Sequence, residues 1–126
     1  MLNKTQLKNV RTAAILTNAY VAGTTLTDCG AYNQLTLRIN FTKGNLTDAQ
    51  IKVEYSEDGT NWTQETFDSV SGGVNTLSAG VLKLSATGAY TEHINFIADQ
   101  IKISAIGTDD VTSSSLKIDA ILSIAS

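Results

Sequence analysis

The sequence predicts an all-β domain of eight or nine strands, and three observations carry that expectation. Four separate segments alternate apolar and polar residues with period two, as half-buried strands do. Turn-forming residues punctuate these segments at regular intervals, and no segment carries the wider stripe of an amphipathic helix. Strands so spaced close into a sandwich or a barrel.

Taken in order, residues 12–21 are small and apolar and read as a buried strand, and residues 24–28 as a short edge. Leu35, Leu37, Ile39 and Phe41 alternate with Thr36, Arg38, Asn40 and Thr42, which sets one face in the core and one toward water. Ile51, Val53 and Tyr55 repeat the pattern. Residues 60–67 form a weaker strand with Trp62 and Phe67. Two short strands offer Leu82 and Leu84, then Ile94 and Phe96, to the core. Ile101, Ile103 and Ala105 follow. The last strand turns Leu116, Ile118, Ala120, Leu122 and Ile124 inward. Its outward Ile121 and Ala125 suggest cover on both faces. Only residues 4–10 and 46–50 have room for a helical turn.

The turns fall between the strands. Lys43, Gly44 and Asn45 follow one, Ser71, Gly72 and Gly73 sit in a loop, and residues 107–110 with Ser113 to Ser115 make the last connection. Asp58-Gly59 between two β runs is a strong hairpin signal, because both residues tolerate positive φ.

Bulk composition narrows the function. A chain of 126 residues is expected to form one domain with a single core. Charged residues make up 17% and hydrophobic ones 42%, apolar surface enough to offset the entropy of ordering. Net charge is −3 and no Lys/Arg cluster exists, so the electrostatic footprint of a nucleic-acid binder is missing. No apolar run is long enough for a spanning helix, and the first residues lack the apolar stretch of a secretion signal. Neither a nucleic-acid nor a membrane partner is expected.

Candidate chemistry is sparse. Cys29 is the only cysteine, so it forms no internal disulfide and reads as a small buried hydrophobe. His93 is the only histidine and falls at an outward strand position, and catalysis through it would need a nucleophile and an orienting acid beside it in space. Asp58, Asp109 and Asp110 lie in loops, where carboxylates can hold Ca²⁺, but the spaced oxygen ligands of a calcium loop do not accompany them. Sequons at Asn3, Asn40, Asn45 and Asn61 are what a Thr- and Asn-rich chain produces by chance. The expectation is no catalytic residue, no metal and no cofactor. Tyr55 and Trp62 flank the Asp58-Gly59 turn. They serve either as anchors of the hairpin or, with Tyr32 and Tyr90, as a platform on which sugars stack.

Ser56, Asp58, Gly59 and Trp62 make a Ser-x-Asp-Gly-x-x-Trp pattern similar to one in small β-sandwich modules, including discoidin-like and fibronectin-like domains, and in many bacteriophage virion proteins. With the strands at residues 31–44, 98–105 and 116–120, the order over roughly residues 10–124 resembles small structural proteins of tailed phages, head-decoration and tail-associated jelly-roll modules among them. The resemblance implies an antiparallel, jelly-roll-like β-sandwich without catalytic residues. It also implies a non-enzymatic virion protein, made and assembled in the host cytoplasm. The expected role is a capsid decoration (cement) protein. Its expected partners are copies of itself, as a homotrimer, and major capsid or tail proteins. The alternative is a carbohydrate-binding module of a phage tail or adsorption apparatus. Residues 1–11 are expected as an N-terminal arm that docks on a neighbour through Leu7, Val10 and Arg11, with the sandwich in residues 12–126.

Overall fold

The computed structural model describes residues 5–65, 74–76 and 80–124. Its strands are β1 (Thr5–Ala14), β2 (Val21–Ala22), β3 (Gln34–Thr42), β4 (Leu46–Ser56) and β5 (Thr63–Gln64). Then follow β6 (Val74–Thr76), β7 (Leu82–Leu84), β8 (Gly88–Asn95), β9 (Gln100–Asp109) and β10 (Ser115–Ser123). One 3-10 turn, Cys29–Ala31, interrupts them.

Alternation decides how the strands meet. In the β3/β10 pair, Leu35 lies opposite Leu122, Leu37 opposite Ala120, Ile39 opposite Ile118 and Phe41 opposite Leu116. All eight are buried. A one-residue slip would turn every one of them to water, so this register is strongly specified. The β4/β9 pair does the same, with Ile51 opposite Ala105, Val53 opposite Ile103 and Tyr55 opposite Ile101. These two layers face each other across the core. A fully buried Leu or Ile there contributes about 1.5–3 kcal/mol of transfer free energy.

The strands form two antiparallel sheets. One has the order β1-β10-β3-β8, the other β2-β9-β4-β7-β6 with β5 added on β4. The pairs β1 with β10, β2 with β9, β3 with β8 and β4 with β7 trace one long hairpin wound over itself. That is the jelly-roll order. The roll itself uses eight strands, as the alternation suggested, and β5 and β6 are short ribbons appended to it.

Four expectations change. Residues 5–11 belong to β1 and pair with β10 from Thr5 opposite Ser123 onward, so the described part of the expected arm is an edge strand of the sandwich. Register shifts after Asn9 and Arg11 twist that strand, turning Val10 into the core at 2% exposure. Arg11 reaches back instead of outward: its Nε donates to the Leu116 carbonyl at 3.1 Å and its Nη2 to the Ile15 carbonyl at 2.9 Å. In residues 12–21 only Leu16 is buried, because this stretch leaves one sheet's edge and crosses to the other over the surface. Residues 46–50 open β4 through a bulge, with no helical turn. Residues 24–28 form no strand: Leu26 makes an isolated bridge to Ile101, and the Thr24 N–H donates to the Val10 carbonyl of β1 at 2.9 Å. Phe67, Ala125 and the loop of residues 71–73 lie outside the described residues.

β1 and β8 are the two edges of the four-stranded sheet. Each carries a charge on its inward face, Lys8 opposite Ala120 and Glu92 opposite Leu37. Charges in that position blunt unwanted pairing of a sheet edge.

Candidate functional site at the loop end around Ile97

Three connections gather at one end of the sandwich. They are the segment before β3, the hairpin after β4, and residues 96–99 between β8 and β9. Backbone hydrogen bonds tie the first to the third, from Cys29 N–H to the Asp99 carbonyl at 2.8 Å and from Phe96 N–H to the Asn33 carbonyl at 3.1 Å. Phe96 and Ala98 are both buried, at 6% and 4% exposure. The residue between them has no inward position left. Ile97 therefore stands 94% exposed at the apex.

Shallow depressions flank it. One, of about 500 Å³, is lined by Asn33, Asn95, Phe96 and Ile97. The other, of about 390 Å³, lies against the hairpin and is lined by Tyr55, Ser56, Asp58, Asn61 and Thr63 among others, with Ile97 on its rim. The first is mainly apolar and the second more polar.

The hairpin is built around one carboxylate. Asp58 Oδ1 accepts from the N–H groups of Thr60 and Asn61, both at 2.9 Å, and Oδ2 from Asn61 Nδ2 at 2.8 Å. Ser56 Oγ, on a buried residue, donates to Asp58 Oδ1 at 3.0 Å and accepts from Gly59 N–H at 2.8 Å. The Asn61 and Thr60 amides, then the Asn61 and Ser56 side chains, hold the Asp58 carboxyl well below the usual carboxylate range. Within this turn Gly59 alone takes positive φ, at 78°. Asp58 thus serves the turn through its side chain, and its oxygens are spent on local donors.

At the other end, Asp109 takes a left-handed φ of 71° and accepts from the Thr47 hydroxyl. Asp110 accepts from the Thr112 hydroxyl and N–H, which lower its pKa. Both close the β9–β10 connection. Among the described residues, no group of three or more His, Cys, Asp or Glu is gathered to hold a metal.

The aromatic rings are occupied. Tyr55 stacks on Phe96 with centroids 6.1 Å apart and an interplanar angle of 7°. Its hydroxyl donates to Glu65 Oε1 at 2.7 Å, and burial, then Glu65, raise the phenol's pKa. Trp62 lies under Lys102, whose Nζ is 4.3 Å from the ring centroid, a cation–π contact. Tyr32 is buried, with its hydroxyl donating to Gln6 Oε1 at 3.1 Å. The Tyr90 hydroxyl donates to the Ala86 carbonyl. Tyr32 is buried and Tyr55, Trp62 and Tyr90 are half-buried, each engaged by a neighbour within the molecule. Tyr55 and Trp62 fasten the hairpin to β9 and its loop.

The remaining candidates separate. Leu7 is 67% exposed on the outer face of β1, opposite half-buried Ile121. Continuing that row across the sheet come Thr36 and then exposed His93, whose Nδ1 lies 2.9 Å from the Thr36 hydroxyl. Cys29 is buried, and its thiol is pushed up to about 11 by burial first, then by Asp99 and Asp28. It stays protonated at neutral pH. The edge charges Lys8 and Glu92 and the apex residue Ile97 were not singled out by pattern. Ile97 carries one weak signal, the break in alternation across residues 96–98.

Comparisons with protein-family models, with curated proteins and with solved structures find no match for this chain.

Proposed function

We propose that the chain is a non-enzymatic structural protein of a tailed-phage virion, a capsid decoration protein that assembles as a homo-oligomer on the shell. The observation that carries this reading is a jelly roll whose first strand lies at the edge of its sheet with Leu7 exposed at 67%. Viral capsid and lectin domains share the jelly-roll order. The two sheets fill the space between them with apolar, mostly aliphatic side chains, which leaves the outer surfaces, edges and loop tips for contacts. Leu7, Ile15, Val21 and Ile97 supply exposed apolar contacts there. The lectin-like alternative needs rings free to stack, and here Tyr55 and Trp62 are engaged within the molecule.

Light scattering on the purified protein tests the assembly, with a mass of three chains expected. Cosedimentation with phage shells that lack their decoration protein tests the role. A monomer at every concentration, or an oligomer that ignores the shells, would overturn the reading.

A further inference from the structure

The two edge charges of the four-stranded sheet lie in a single row. Lys8 on β1 is opposite Ala120, Ala120 opposite Leu37, and Leu37 opposite Glu92 on β8. All four face the core side of the sheet, with Ala120 and Leu37 fully buried between the charged ends. Neither Lys8 nor Glu92 has an ion-pair partner among the described residues. Both are half-buried, and desolvation raises the pKa of Glu92. An inward charge guards an edge against a strand that sets an apolar residue opposite it. A strand bringing the opposite charge to that position removes the obstacle, and the chain carries one on each edge.

The strand directions agree with such a match. Successive pairs in β1-β10-β3-β8 are antiparallel, so β1 and β8 run in opposite directions within the sheet. A second copy placed beside the first in the same orientation therefore presents its β1 antiparallel to β8. Residues 5–9 of β1 keep an unbroken register with β10, and residues 91–95 of β8 an unbroken register with β3, so both edges are regular there. The bulges of β1 begin only after Asn9.

We propose that β8 of one copy and β1 of the next pair antiparallel, with Lys8 set directly against Glu92, so that the sheet continues from copy to copy. This rests on the assembly half of the proposed function and names its interface. The register is specific. A shift of two residues, which keeps each side chain on its own face, puts Lys8 against Ile94 or Tyr90 and leaves both charges unpaired. In the proposed register Leu7 meets His93, Asn9 meets Thr91, Gln6 meets Ile94, and no like charges are opposed. Joining unlike edges makes a head-to-tail contact, which closes into a ring or runs on as a filament.

The test is sedimentation velocity on the wild type, Lys8→Glu, Glu92→Lys and the double charge swap, with far-UV circular dichroism to verify folding. Each single reversal is expected to weaken association by about tenfold or more, because it opposes like charges across the seam. The double swap is expected to recover most of the loss. Leu7→Cys combined with His93→Cys is expected to give covalent oligomers on oxidation, while Leu7→Cys with Ala89→Cys is not. A wild-type oligomer indifferent to both reversals, or cross-linked equally by both cysteine pairs, overturns the seam and leaves assembly standing. A wild-type monomer overturns the assembly as well.

Discussion

Gly44 shows how narrowly a single position can be constrained. It follows β3 at a φ of 58°, and a Cβ there would lie 2.3 Å from Ser113 Oγ and 2.4 Å from the Ser113 carbonyl. Left-handed strain alone costs about 1–2 kcal/mol for a residue with a Cβ. Gly44→Ala adds a collision with backbone to that strain, so a loss of about 2 kcal/mol or more is expected in urea denaturation. Gly88→Ala is the control, since its Cβ meets only the Tyr90 ring at 3.5 Å. Asp58 is constrained by charge instead. Its folded pKa lies below the unfolded value of about 3.9, so its contribution is fully present above that value. It is lost as pH falls through the depressed folded value. Denaturation of wild type and Asp58→Asn should therefore differ at pH 7, with the gap narrowing as the solution is made strongly acidic. A gap that does not change with pH would mean that the turn draws nothing from the ionised form.

At the scale of elements, β1 offers the sharpest contrast. Leu7 and Val10 are both aliphatic and three positions apart, yet one is 67% exposed and the other 2%. Val10→Ala is expected to cost about 1–3 kcal/mol, and Leu7→Ala less than about 0.5 kcal/mol in the dissociated chain, by thermal or chemical melts. Comparable costs would contradict the bulges that set this face. The same strand marks where sequence reading stops. β3, β4, β9 and β10 were legible because each is half-buried along its whole length, so burial wrote alternation into Leu35 to Phe41, Ile51 to Tyr55, Ile101 to Ala105 and Leu116 to Leu122. β1 is an edge strand broken by bulges, and its pattern never settles into period two. It therefore read as an arm. The opening of β4 misled for the same reason, because its bulge buries Asp48 and Ala49 in succession. At the loop end, the Asp58-Gly59 turn and its Tyr55 and Trp62 flanks were readable from local chemistry. Ile97 was not, since its exposure depends on Phe96 docking beside Asn33 and Tyr55, contacts far apart in the chain.

For the whole molecule, period two specified a sandwich but left the pairing open. The jelly-roll order joins β1 to β10 and β2 to β9, residues from opposite ends of the chain, and such pairings leave no local trace. The same winding puts β1 and β8, distant in sequence, at the two ends of the strand order of one sheet. The proposed edge-to-edge assembly thus rests on the completed fold and on no single segment. Its most direct test is amide hydrogen exchange followed as a function of protein concentration. Outward-pointing amides in residues 5–9 and 91–95 should gain protection together as concentration rises, while β4 and β9 stay constant. Protection that ignores concentration, or that grows at only one of the two edges, would contradict a sheet continued from copy to copy.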